Sequence, residues 1–172
     1  MNLNQLILKA KTSKFQLWKL NRILWIGIPF NKPHRFKIRT IQEGHAVIDL
    51  PYRKSNLNHI KTIHACAMAT CSEYVSGLVL GTKFDFKEFR LIMKNMHMEY
   101  HYQGKMNAYC EFNFSDEEFE KVKNELKSLD SIDIQVKVLC KDQSENILST
   151  ALITWQIKYW SKTKKKNLTS SF

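Results

Sequence analysis

A chain of 172 residues with 44% hydrophobic, 12% aromatic and 25% charged content carries enough apolar material for one folded domain and lies outside the composition of disordered chains. Its net charge of +11 sits at the ends: residues 1–40 hold nine Lys or Arg and no acid, residues 161–172 hold four Lys and no acid, and the body between them is nearly neutral. Cys66, Cys71, Cys110 and Cys140 lack CxxC spacing, which argues against a secreted disulfide scaffold or a thiolate metal site and suits reduced thiols in a cytoplasmic protein.

In chain order, residues 3–26 interleave apolar side chains with Lys9, Lys11, Lys14, Lys19 and Arg22. The spacing of Phe15, Trp18, Arg22 and Trp25 predicts one basic amphipathic helix ended by Pro29 and Pro33. The apolar run Ile23–Ile28 is too short for an export signal. Arg35–Ile41 and His45–Leu50 read as two strands around a Gln42-Glu43-Gly44 turn, followed by a polar loop over 51–62. Ile63–Leu80 is a long apolar helix that Gly77 and Gly81 help to end. It contains Glu73, so burial in protein suits it better than a membrane span. From Leu91 the pattern alternates, with Met96, Met98, Tyr100 and Tyr102 on one face. Gln103-Gly104-Lys105 then turns into a strand over Met106–Phe114. Ser115 and Glu118 form a capping box ahead of a helix over 116–129. Strands follow over Ile132–Val138 and Ala151–Tyr159, and the Lys/Ser-rich segment from Ser161 reads as a disordered tail. The division expected is a basic helix in 1–30, a domain in 31–160 and a tail in 161–172. The fold class is α+β, an antiparallel sheet wrapped around a long central helix whose Ala65, Ala67, Ala69, Ser72 and Ser76 permit close approach.

The chemistry concentrates between Asn58 and Glu73. Glu73 is the only acid from Pro51 to Lys83, and a mid-helix position should raise its pKa. The backbone N–H groups at the helix start near Ala65 are free for an oxyanion. A buried carboxylate satisfied by Asn or Ser neighbours is the plainer reading of Glu73, and a turn residue is the plainer reading of Asn58. His59 and His64 suit structural hydrogen bonds, and Cys66 and Cys71 suit the helix core.

The run Asn58-His59-Ile60-Lys61-Thr62-Ile63-His64-Ala65-Cys66, with Glu73 nine residues after His64, resembles the active-site segment of phenylacetyl-CoA-type hotdog thioesterases. In that family an Asn precedes the His of a His-Gly-Gly turn by six residues and an acid follows it by nine. The wider wording is similar to a bacterial hotdog branch known only as a domain of unknown function, over roughly residues 35–160. The resemblance implies a hotdog fold and hydrolysis of an acyl-CoA, with Glu73 as general base and Asn58 positioning water or carbonyl. His64 and Ala65 would lie at the oxyanion site, and Lys61 and Cys66 along the substrate. Lys61, Ala65 and Cys66 stand where the family usually has glycine. It also implies no cofactor beyond the coenzyme A of the substrate. The loop of one subunit would meet the carboxylate of its partner, giving a homodimer or a dimer of dimers. The alternative is a non-catalytic acyl-CoA or lipid-binding module, with peripheral membrane contact through residues 1–30; nucleic-acid binding is not expected of so few tail lysines.

Overall fold

The computed structural model describes residues 3–163, so most of the expected tail lies outside the described residues. Six strands form one antiparallel sheet: β1 (Lys37–Gln42), β2 (His45–Leu50), β3 (Phe89–Tyr100), β4 (Ala108–Asn113), β5 (Ile132–Asp142) and β6 (Ile147–Tyr159), in the spatial order β1-β2-β4-β5-β6-β3. The sheet curls around a central helix, α3 (Ala65–Lys83), which is the hotdog architecture anticipated above. Alternation explains the curl. Ile48 and Leu50, Cys110 and Phe112, Val136 and Val138, and Ile153, Trp155 and Ile157 each turn a buried side chain toward α3. The helix meets them with Ala67, Cys71, Ser72, Val75, Ser76 and Val79, mostly small side chains that let backbones approach.

α3 runs through Gly77 and Gly81 to Lys83, so neither glycine ends it. They are close-approach positions instead. A Cβ on Gly77 would sit 3.0 Å from the Trp155 ring, and one on Gly81 would sit 2.3 Å from the Phe86 ring. Gly44 does serve the turn it was assigned, at φ +73 between β1 and β2. Ser115 and Glu118 form both hydrogen bonds of the capping box, and α4 (Asp116–Glu125) stops one turn earlier than its pattern suggested.

β3 and β4 are consecutive but not neighbours. β3 pairs only with β6, through Met96↔Ile153 and its flanks, while β4 lies between β2 and β5. The connection 101–107 therefore crosses the start of α3, where the Gly104 carbonyl accepts from the Ile63 N–H at 2.8 Å. This crossing braces the loop that carries Asn58. It also leaves β3, twelve residues long, as a free sheet edge exposing Ile92, Met93 and Tyr100.

Two helices open the chain where the sequence suggested one, α1 (Leu3–Ala10) and α2 (Lys14–Gly27). Ser13 causes the break: its backbone is extended and its Oγ accepts from the Gln16 N–H, capping α2 afresh. The inward face of α2 carries Leu20, Asn21 and Leu24, whereas Phe15 and Trp18 point to solvent.

Asn21 ties α2 to the edge strand β1. Its Nδ2 donates to the Ile38 carbonyl at 3.1 Å and its Oδ1 accepts from the Ile38 N–H at 2.7 Å, so a buried side-chain amide takes the place of a neighbouring strand. Asn21→Leu keeps the branched outline of the side chain but strands both backbone groups of Ile38. It is expected to cost about 2–4 kcal/mol, read as a lowered urea midpoint at unchanged m-value.

Candidate active site

The site is built on the loop that leads into α3. Leu57 and Ile63 form an antiparallel bridge that pinches residues 58–62 into a tight turn. Asn58 organises it. The Oδ1 accepts from the N–H groups of Ile60 (3.1 Å) and Thr62 (3.0 Å), and Nδ2 donates to the Thr62 hydroxyl at 2.8 Å. Its backbone adds a bond to the Thr62 carbonyl and one from the Lys61 N–H. One of the two Nδ2 hydrogens is left without a partner among the described residues.

Buried Asn56 holds the turn from beneath. It donates to the carbonyls of His34 and Pro51, its Oδ1 lies 2.9 Å from His34 Nδ1, and its backbone carbonyl accepts from the His64 N–H. The spacing to His64 points to Asn58 and gives no sign of Asn56. Only the contact with His34, twenty-two residues away, gives it this part.

Lys61 has φ +58, the left-handed region that glycine adopts freely and a lysine only at a cost of about 1–2 kcal/mol. The resembled family's usual glycine is thus accounted for by backbone geometry. Here the turn keeps that geometry with a side chain added, and the Tyr52 hydroxyl donates to the Lys61 carbonyl. Lys61→Gly is expected to stabilise the protein by about 1 kcal/mol, seen as a raised thermal midpoint.

His64 is the N-cap of α3. Its backbone is extended (φ −65, ψ 138) and its Nδ1 accepts from the Cys66 N–H at 3.0 Å, which places the proton of the neutral ring on Nε2. Its carbonyl takes the N–H groups of Ala67 and Met68. Of the first four N–H groups of the helix, only that of Ala65 has no partner among the described residues. The free donors expected from sequence narrow to one. That donor points from the positive end of a nineteen-residue helix. The Cys66 side chain, which the residues alone suggested for the core and the resemblance set along the substrate, is exposed on this same end; Cys71 is buried. Tyr100, read from sequence as one residue of an alternating strand face and given no part in the site, reaches over from β3, and its hydroxyl donates to the Ala65 carbonyl at 3.3 Å. Its presence depends on the register of β3 against β6.

Glu73 lies two turns further along α3. At 1.5 Å per residue it is about 12 Å from Ala65, so one chain does not bring it to the Asn58 loop. Its carboxylate makes no hydrogen bond or ion pair among the described residues, and Ser76 bonds its backbone carbonyl instead. The satisfied-carboxylate alternative therefore has no partner atoms here. Burial pushes the Glu73 carboxyl above the usual glutamate range. Beside it is an apolar cavity of about 220 Å³ lined by Leu24, Ile28, Leu78, Leu91 and Trp155, with Asn31 and Gly77 also at its wall. Two of these, Leu24 and Ile28, come from α2 and its C-cap. On α3, Cys66, Ala69, Thr70, Glu73 and Gly77 form one incompletely covered stripe from the helix start to the cavity.

Residues 17–157 match the family model described as "Domain of unknown function (DUF4442)". No protein of curated function matches the sequence. Among solved structures, a Pseudomonas aeruginosa protein of unknown function, named a "probable thioesterase", is 20% identical with a TM-score of 0.77, covering 82% of this chain and 95% of that one. A Haemophilus influenzae thioesterase is 9% identical with a TM-score of 0.63, covering 86% and 93%. A Staphylococcus aureus thioesterase, solved as a mutant, is 13% identical with a TM-score of 0.60, covering 76% and 98%. At these identities the likeness is one of fold. No helix among the described residues is long and apolar enough to cross a membrane.

Proposed function

This chain belongs to the DUF4442 family, and from that premise we propose that it hydrolyses an acyl thioester, with acyl-CoA as the substrate and the cytoplasm as its compartment. The observation that carries the reading is the pairing of two groups without a partner among the described residues, the Ala65 N–H at the positive end of α3 and the Glu73 carboxylate on the half-covered stripe of the same helix. Thioester hydrolysis needs these two elements: a donor for the oxygen that becomes negative, and a base for the attacking water.

The separation of about 12 Å within one chain assigns them to two half-sites. A homodimer formed through the free β3 edge would set Ala65 against Glu73 of the partner subunit, and two such sites would arise by symmetry. In each, the Ala65 N–H polarises the thioester carbonyl, the remaining Asn58 Nδ2 hydrogen orients the water or the carbonyl, and the carboxylate removes a proton from the water. The tetrahedral intermediate then collapses with release of the coenzyme A thiolate. The acyl group occupies the apolar cavity lined by Leu24, Ile28, Leu78 and Trp155. Thiol release from a panel of acyl-CoA esters, run on protein whose oligomeric state is read by light scattering, tests this. Turnover of none of them by a confirmed dimer would reject hydrolysis.

A second reading, acyl-CoA binding without turnover, is favoured by one feature, the lysine held in the left-handed region at position 61. Under it, Lys61→Gly would gain hydrolysis that the natural protein lacks.

A further inference from the structure

α2 has two apolar faces, and the fold uses one. At about 100° per residue, Leu17, Leu20, Asn21 and Leu24 cluster on the side packed against the protein. Lys14, Phe15, Trp18, Lys19, Arg22, Trp25 and Ile26 fall on the opposite side, within an arc of about 140°. Phe15, Trp18 and Ile26 are 66%, 54% and 77% exposed, values unusual for such side chains on a helix that already has a core face. The cations are woven among them. The Arg22 guanidinium lies 5.4 Å from the Trp18 ring and 5.2 Å from the Trp25 ring, and the Arg35 guanidinium lies 5.1 Å from the Trp25 ring. No acid occurs before Glu43 in the sequence, and Asp49, which lines the same groove as Lys14, Trp18 and Arg22, is paired with Arg39.

Large apolar and aromatic groups alternating with Lys and Arg on one side of a helix match the boundary between lipid headgroups and acyl chains. There the apolar groups enter the bilayer and the cations meet phosphate. We infer that the outer face of α2 docks the protein on an anionic lipid bilayer. A nucleic acid suits the face less well. The Trp18 and Trp25 rings already stack on Arg22, and Phe15 and Ile26 would gain nothing from a phosphate backbone. A second copy of the chain would set these cations against their own kind. Docking here does not depend on turnover. The inner side of the same helix supplies Leu24 and Ile28 to the cavity beside Glu73, so an amphiphilic ligand taken from the lipid surface would travel only across α2.

The test is co-sedimentation of the full chain with phosphatidylcholine vesicles, with and without phosphatidylglycerol, at low and high salt. Removing residues 1–30 would not be informative, because Asn21 and Leu24 belong to the core. Two double variants on exposed side chains replace that deletion: Phe15→Ser with Ile26→Ser, and Lys14→Glu with Lys19→Glu. The expected result is binding to phosphatidylglycerol vesicles that weakens with salt, falls about tenfold in either double variant, and leaves the thermal midpoint unchanged. Three results would overturn the inference. One is absence of vesicle binding. Another is vesicle binding that ignores Phe15→Ser with Ile26→Ser. The third is binding to a DNA duplex, or self-association, that these variants abolish while vesicles remain unbound.

Discussion

Glu73→Gln is expected to lower acyl-CoA hydrolysis by about a thousandfold while leaving the protein folded and dimeric, since positioned general bases contribute roughly 10²–10⁴. The amide keeps the shape of the side chain and removes the base. Because the carboxylate has no hydrogen-bond or ion-pair partner among the described residues, no neighbour is left unsatisfied by the change. The pH dependence follows from the direction of the shift. A base acts when deprotonated, so kcat/KM should rise with pH through a value above the usual glutamate range, and the glutamine variant should lose that limb. Stability moves the other way. The folded state holds the Glu73 proton more tightly than the unfolded chain does. Its contribution therefore weakens as pH rises from the ordinary glutamate pKa through the raised one, and Glu73→Gln should remove that slope. A glutamine variant that hydrolyses acyl-CoA at the natural rate would leave Glu73 with no part in catalysis.

The sequence made the fold readable where one local rule dominated. The alternation of Val136, Val138, Ile153 and Ile157 gave inward faces that the strands keep, and the Ser115–Glu118 capping box has both of its bonds. Strand order was not readable. β3 and β4 look like a hairpin across Gln103-Gly104-Lys105, and only the crossing of that segment over α3 sends β4 between β2 and β5. The face of α2 was misleading for a different reason. With apolar side chains on both sides, periodicity shows a helix but not which side faces the core, and Asn21, a polar residue, marks the buried side through Ile38. At the candidate site, the spacing of Asn58, His64 and Glu73 drew attention to the loop and helix that carry them. It could not show how much of the Asn58 side chain the turn consumes, nor the positive φ of Lys61, because both are set by the pinch between Leu57 and Ile63. The distance between Glu73 and the loop follows from helix geometry alone, and it is the fact that makes a second subunit necessary to the proposed chemistry.

Ala65→Pro should remove the other half of that chemistry without removing the helix. Ala65 is the first residue of α3, the one helical position where proline is favoured, because its N–H has no intrahelical acceptor. The preceding residue, His64, already has the φ −65, ψ 138 backbone that a following proline requires. The substitution thus deletes a single N–H from a helix that does not use it for folding. The cap from His64 Nδ1 to the Cys66 N–H and the Tyr100 contact to the Ala65 carbonyl involve other atoms. If that N–H holds the developing oxyanion, kcat should fall by about 10²–10³, the usual effect of losing one such donor, with helix content and thermal midpoint nearly unchanged. Ala65→Gly, which keeps the N–H, serves as the control and should retain most of the activity. Equal activity in the proline and glycine variants would mean that the oxyanion is held elsewhere.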